Sequence, residues 1–202
     1  MSEFLIIGVA IVLTERNGFL FELQREEKWK RGPDAIIEIG MSCIGGTVEE
    51  GESLEDALQR EATEEIGCRV AFDRSAKPFS MDPAGNVSPL PPGAVPDGVQ
   101  FLWEGDEPCF VPGAVVAVYA GHATARAAPG DLSGIVTLES GLFHQLATES
   151  STIEHLEQRG AILREGVRIP RSARVKPVGT AARLLELRRR HPELLKRIQG
   201  AS

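Results

Sequence analysis

Between positions 46 and 68 the chain reads GTVEEGESLEDALQREATEEIGC, a segment crowded with carboxylates. At about 100° per residue of an α-helix, Glu61, Glu64 and Glu65 fall within an arc of about 100°, roughly a quarter turn from the apolar stripe Leu58, Ala62 and Ile66. Like charges held this close repel one another unless something neutralises them, and hard oxygen ligands at this density suit Mg²⁺ or Mn²⁺. Such an ion keeps some of its waters and takes phosphate oxygens into its shell. It can therefore hold a diphosphate, screen its charge and lower the pKa of an attacking water. The plainer alternative is a solvated helix face tied together by i to i+4 pairs.

The elements that must carry these side chains are legible around them. Ser53 to Ile66 is expected to be helical, with Ser53 as its cap, Glu49, Glu50 and Glu52 near the positive end of its dipole, and Gly67 closing the far end in a left-handed conformation. Phe4 to Thr14 and Phe19 to Gln24 read as strands joined at Arg16-Asn17-Gly18, where Asn17-Gly18 is a hairpin signal. A charged loop, Arg25 to Asp34, precedes a strand from Ala35 to Ile44 that leads into Gly45-Gly46. Six prolines, at 78, 83, 89, 91, 92 and 96, predict a long surface loop over residues 71 to 98. Further strands are expected at Ala114 to Tyr119 and Ile135 to Leu138, a short helix opening at the capping box Ser151-Thr152-Ile153-Glu154, and helices from Thr180 to Arg190 and after Pro192. Strands interleaved with helices make an α/β domain.

The segment resembles the Nudix box, G-x5-E-x7-R-E-U-x-E-E-x-G-U with U apolar, at Gly46, Glu52, Arg60, Glu61, Ala62, Glu64, Glu65, Gly67 and Cys68. The resemblance implies an α/β/α sandwich with a mixed β-sheet and a loop-helix-loop catalytic motif. It implies a hydrolase that uses metal-activated water to cut a phosphoanhydride, with Glu61 and Glu65 as the firmest metal ligands and Glu64 next. Arg60 is then expected to orient the carboxylates and Glu52 to support them from the helix entrance. Gly45 and Gly46 would turn the backbone tightly, with a carbonyl there joining the metal shell. Because the family's general base is either a box glutamate or an acidic residue of a later loop, Glu139, Glu149, Glu154 and Glu157 are candidates beside the box, and His144 and His155 are read as solvated or capping residues. Pro83, fifteen residues past Cys68, resembles the proline that ADP-ribose pyrophosphatases often carry at that distance beyond the box, and the resemblance implies a nucleoside diphosphate linked to a second group, ADP-ribose-like, as substrate. The alternatives are a nucleoside triphosphate or dinucleotide pyrophosphohydrolase and, in another class, a non-catalytic nucleotide-sensing module.

With 202 residues, 42% of them hydrophobic and 25% charged, the chain is expected to be a single domain, with a core over about 4–160 and a basic helical extension over about 161–202. The net charge of −7 is unevenly spread: residues 1 to 160 hold 11 basic and 26 acidic side chains, residues 161 to 202 hold 11 and 3. An acidic body argues against a nucleic-acid partner, which would demand phosphate neutralisation, and suits a metal site and a small nucleotide-type substrate. The basic extension either docks on the acidic body or on a second subunit of a homodimer, or reaches toward phosphates or RNA. Leu184, Leu185, Leu187, Leu194, Leu195 and Ile198 favour docking by giving it an apolar side. Phe4 to Leu13 is too short to span a bilayer and lacks a preceding basic stretch, so no membrane partner and a cytoplasmic location are expected. Cys43, Cys68 and Cys109 have no ligand spacing and read as structural or incidental, and Trp29 and Trp103 read as packed rings with base stacking as the alternative.

Overall fold

The N-terminal apolar run presents both of its faces to cores. Val9, Ile11 and Leu13 are buried in one hydrophobic cluster, and Ala10 and Val12 in another, the period of two expected of a strand covered on both sides. In a computed structural model, which describes residues 4–74, 77–105 and 111–199, this run is β1 (Leu5–Glu15). It is followed by β2 (Gly18–Leu23), β3 (Lys30–Arg31), β4 (Ile37–Ser42), β5 (Ile44–Thr47), α1 (Leu54–Ile66), β6 (Val70–Phe72), β7 (Phe79–Met81), β8 (Val87–Pro89) and β9 (Val99–Glu104). The second half adds β10 (Ala114–Ala123), β11 (Gly134–Glu139), α2 (Ser140–Gln145), β12 (Ser151–Thr152), α3 (Ile153–Gln158), β13 (Ile162–Glu165), β14 (Arg174–Pro177), α4 (Gly179–Arg190) and α5 (Pro192–Gln199). Cys109 lies outside the described residues.

The strands run in the order β12, β14, β4, β2, β1, β10, β9, β7, β8, with β11 and β13 branching from β2, β3 from β4, β5 from β1 and β6 from β10. β1 and β10, β14 and β4, and β7 and β9 are parallel neighbours and the other pairs antiparallel, so the sheet is mixed. Ala57, Leu58, Ala62 and Ile66 lay α1 against one face. Leu142 and Phe143 of α2, Leu156 of α3, and Leu184, Leu187, Leu195 and Ile198 of α4 and α5 cover the other. This is the α/β/α arrangement.

Local signals account for the ends of α1. The Ser53 hydroxyl accepts from the Asp56 N–H at 3.1 Å, and Gly67, at φ 66°, closes the helix with its own N–H on the Thr63 carbonyl. The β1–β2 hairpin forms where Asn17-Gly18 predicts it, but the positive φ falls on Arg16, at 56°. Gly18 is needed for another reason: a Cβ there would lie 2.4 Å from the carbonyl oxygen of Leu138 in the neighbouring strand.

Two stretches differ from the sequence expectation. The proline-rich segment is not simply a loop, because β6, β7 and β8 form within it. Its prolines sit where no ladder donor is needed: Pro89 is in the edge strand β8 and Pro83 is in the turn Asp82 to Gly85. The basic C-terminal stretch supplies two strands before its helices. β14 lies parallel to β4, and β13 pairs with β11. Among the described residues, no helix is long and apolar enough to cross a membrane.

β13 is also pinned by charge. Arg164 donates to Glu15 and to the Ala127 carbonyl, and the Thr137 hydroxyl donates to the same Glu15 carboxylate. Burial alone would raise the Glu15 carboxyl, yet the hydrogen bonds from Arg164 and Thr137 outweigh it and hold the group below its usual value of 4.5. A depressed carboxyl stabilises the fold above its unfolded pKa and ceases to do so as pH falls through its folded one. Glu15→Gln should therefore lower Tm at about pH 7, with the gap to wild type closing as pH drops from about 5 to about 3. Thermal melts of both proteins across that range check this; a gap of constant size would mean that the charge is not its source.

Candidate active site

The site begins with a tight approach of backbone to backbone. Gly45, at φ 147°, crosses β1 so closely that a Cβ on it would lie 2.1 Å from the Val9 carbonyl oxygen. Only glycine fits such a position. One residue on, the Glu61 carboxylate lies over the Cα of Gly46, 2.2 Å from where a Cβ would be. These two glycines deliver the chain into the loop that precedes α1.

Arg60 organises the loop side. It binds Glu52 in a two-point contact, Nε to Oε1 and Nη2 to Oε2, each 3.1 Å. Its Nη1 donates to Glu61 at 2.7 Å and its Nη2 to the Thr47 carbonyl at 3.0 Å. A planar guanidinium can make these four hydrogen bonds at once, two of them side by side to one carboxylate, whereas the ammonium of a lysine has only three donors. The hydrogen bonds from Arg60 hold the Glu52 carboxyl below its usual range, and those to Glu52 and Glu61 raise the Arg60 pKa. Thus Glu52, Arg60 and Glu61 meet. Glu64, half-exposed, stands 3.8 Å from Arg60 and points outward.

Glu65 is buried on the inner side of α1, where its Oε2 accepts the Gly45 N–H at 3.0 Å. Facing it is Glu22 of β2, a residue outside the box and absent from the expected ligand set. The strand's alternation explains the encounter: Phe19, Phe21 and Leu23 face the α4 side, so Leu20 and Glu22 face α1. The two carboxyls share a hydrogen bond. Burial first, and then the charge of Glu22, push the Glu65 carboxyl far above its usual range, and burial likewise raises Glu22. Both also feel the negative charge of Glu61. A Glu in the middle of an otherwise apolar strand was the signal available in the sequence.

The structure thus sets Glu22, rather than Glu64, opposite Glu65. Among the described residues no three carboxylates, imidazoles or thiols already surround one point, because Glu61 is held by Arg60, and Glu65 by Gly45 and Glu22. The donor set nevertheless fits a hard divalent cation. The buried Glu65 and the partly buried Glu22, facing each other with a third carboxylate beside them, form a place where such an ion could offset the repulsion.

The later-loop candidates lie elsewhere. Glu139 stands at the start of α2 with no side-chain hydrogen bond to its first turn, Glu149 and Glu154 are exposed, and Glu157 pairs with Arg171 at 2.9 Å. His144 and His155 are exposed. The acidic residue of a later loop that does reach the box helix is Asp131. Its N–H donates to the Glu64 carbonyl, and its carboxylate pairs with Arg25. Of the two tryptophans, Trp29 is partly buried and donates to the Gln24 carbonyl at 2.8 Å, while Trp103 is buried and donates to the Thr180 hydroxyl at 3.2 Å. Cys43 and Cys68 are buried, and burial pushes both thiols up.

Residues 5–91 match the model of the NUDIX domain. The matched stretch runs from β1 past the box helix to β8 at the edge of the sheet. Among solved structures it is similar to a hydrolase of the NUDIX family from Clostridium perfringens, at 15% identity over 71% of this chain and 85% of that one, with a TM-score of 0.44. It is also similar to a nudix hydrolase family member from Chromobacterium violaceum, at 17% identity and TM-score 0.40, over 69% of this chain and 66% of that one, just under two thirds of its length. An ADP-ribose pyrophosphatase from Streptococcus suis matches at 12% identity over 64% of this chain and 70% of that one, with a TM-score of 0.37. No curated protein matches the chain.

Proposed function

We propose that this chain is a divalent-metal-dependent hydrolase that cuts the phosphoanhydride of a nucleoside diphosphate linked to a second group, ADP-ribose among them. The observation that carries the reading is the crowding of Glu22, Glu61 and Glu65 beside the glycine turn Gly45-Gly46. Glu61 and Glu65, with Glu22 in support, would hold Mg²⁺ or Mn²⁺, and Glu64 stands at the outer edge. The ion would screen the diphosphate and acidify an attacking water. Arg60 contributes by fixing Glu61 and Glu52, and Gly46 by leaving room for the Glu61 carboxylate. Glu64 and Asp131 are the carboxylates open to solvent from which a proton acceptor would be drawn.

The deciding experiment is a panel of ADP-ribose, NADH, diadenosine polyphosphates, coenzyme A, nucleotide sugars and nucleoside triphosphates, each with and without Mg²⁺ or Mn²⁺. A nucleoside diphosphate joined to a second group should give the highest kcat/KM, with release of a nucleoside monophosphate. A triphosphate better by about tenfold, or about 1.4 kcal/mol of transition-state binding, would overturn the substrate class. Nucleotide binding without metal-dependent release from any member would overturn the hydrolase reading in favour of a sensing module.

A further inference from the structure

The far end of α1 is held by a loop that belongs neither to the box nor to its helix. A helix leaves its last four carbonyls without partners of its own, and in α1 these are the carbonyls of Thr63, Glu64, Glu65 and Ile66. The Gly67 N–H takes the first. The other three are taken by the segment that joins β10 to β11: the Asp131 N–H donates to Glu64 at 3.1 Å, that of Gly130 to Glu65 at 2.9 Å and that of Ala128 to Ile66 at 3.1 Å. Pro129, which has no N–H, stands between two of the donors. Gly130 comes so near that a Cβ on it would lie 1.8 Å from the Glu64 carbonyl oxygen, and a backbone oxygen cannot swing aside.

The loop is itself anchored. Thr124 donates both its N–H and its hydroxyl to the Arg69 carbonyl, each at 2.9 Å, Arg164 donates to the Ala127 carbonyl at 3.0 Å, and Ala127 and Leu132 are buried in the cluster that holds Ala62 and Ile66. At its end the Asp131 carboxylate pairs with Arg25, three residues beyond Glu22. A few residues thus grip the backbone of Glu64 and Glu65 on one side and reach the end of β2 on the other. We propose that Ala128, Gly130 and Asp131 are positioning residues, a splint that sets the last turn of α1 so that the Glu65 carboxylate meets the Gly45 N–H and Glu22. The consequence for the cation rests on the metal reading above, whereas the placement of Glu65 is tested without metal.

The test uses the full chain with Gly130→Ala. Without metal, the Gly45 amide should exchange its proton about tenfold faster relative to the amide of Val118, a fully buried residue of β10, because the 3.0 Å bond to Glu65 is lost while the core persists. Mn²⁺, followed by the electron paramagnetic resonance of the free ion, should bind about tenfold more weakly, the effect expected of a group that orients a ligand without touching the ion. Arg25→Gln leaves the three backbone bonds in place and cuts only the tie to the end of β2. Removing a positive charge that acts on Glu22 would by itself tighten Mn²⁺. A weakening by about two- to fivefold is expected instead, the range of an exposed ion pair, and Arg25→Lys should recover it. An unchanged exchange ratio or wild-type Mn²⁺ affinity in Gly130→Ala, or equal or tighter Mn²⁺ binding in Arg25→Gln, would overturn the assignment. Arg25→Gln decides the matter if Gly130→Ala fails to fold. A wild type that binds no Mn²⁺ would remove the metal reading and leave the exchange ratio in either variant to decide this one.

Discussion

Glu65→Gln should lower kcat by about a hundredfold or more, about 2.7 kcal/mol of transition-state stabilisation, while the protein remains folded. The two halves of that expectation have different origins. The loss follows from the proposed part of Glu65 in holding the cation, since an amide cannot supply the negative charge that Mg²⁺ prefers. The retained fold follows from the hydrogen bonds: the amide oxygen can still accept the Gly45 N–H, and the amide nitrogen can donate to Glu22, replacing the proton that now joins the two carboxyls. A variant that removed the group altogether would instead orphan the Gly45 donor, at a cost of about 1 to 3 kcal/mol. Melting curves separate the outcomes. Without metal, Glu65→Gln should melt at or above the wild-type temperature, and the rise in Tm that Mg²⁺ gives the wild type by mass action should be lost. Full turnover and an undiminished Mg²⁺ shift in this variant would remove Glu65 from the metal site.

What the sequence disclosed was what is decided locally. The cap at Ser53, the αL closure at Gly67 and the stripe Leu58, Ala62, Ile66 are all written within a few residues of one another, and α1 forms between them as expected. The contacts of Arg60 with Glu52 and Glu61 follow from the same short segment. Glu22 stood out in the sequence as a charge in an apolar strand, but nothing near it tied it to the site. Its meeting with Glu65 depends on how β2 is paired and on which face α1 covers, decisions made by residues more than forty positions apart in the chain. β14 was missed for a related reason: four residues, Arg174-Val175-Lys176-Pro177, carry too short an alternation to announce a strand, and the partner that makes them one is β4, far upstream. The short strands among the prolines were masked by residues that favour turns in isolation and that the edge of a sheet tolerates.

Deleting the chain from Gly179 onward should abolish cooperative folding rather than trim it. The segment buries Ala181, Leu184, Leu185, Leu187, Leu195 and Ile198 in the same cluster as Phe21, Met41, Trp103 and Phe143. The five larger aliphatic side chains, at about 1.5 to 3 kcal/mol each, represent about 8 to 15 kcal/mol, which is as much as the whole stability of an ordinary domain at about 5 to 15 kcal/mol. The ion pairs that would go with them, such as Arg190 with Glu186, lie within the segment and at its surface, where each is worth about 0 to 1 kcal/mol. Packing, not the attraction between a basic tail and an acidic body, should therefore hold α4 and α5 in place. The full-length Tm should change little between low salt and about 0.5 M salt, since screening acts on exposed charges and leaves buried leucines alone. Leu184→Ala, at 0% exposure, should alone cost about 2 to 5 kcal/mol. Calorimetry of the truncated protein distinguishes the outcomes: a broad or absent transition is expected, together with loss of the near-UV signal of Trp103. A sharp transition within a few degrees of the intact chain would show that β14 and the sheet alone sustain the core. A truncated protein rescued or lost according to salt would show that charge, after all, sets the contact.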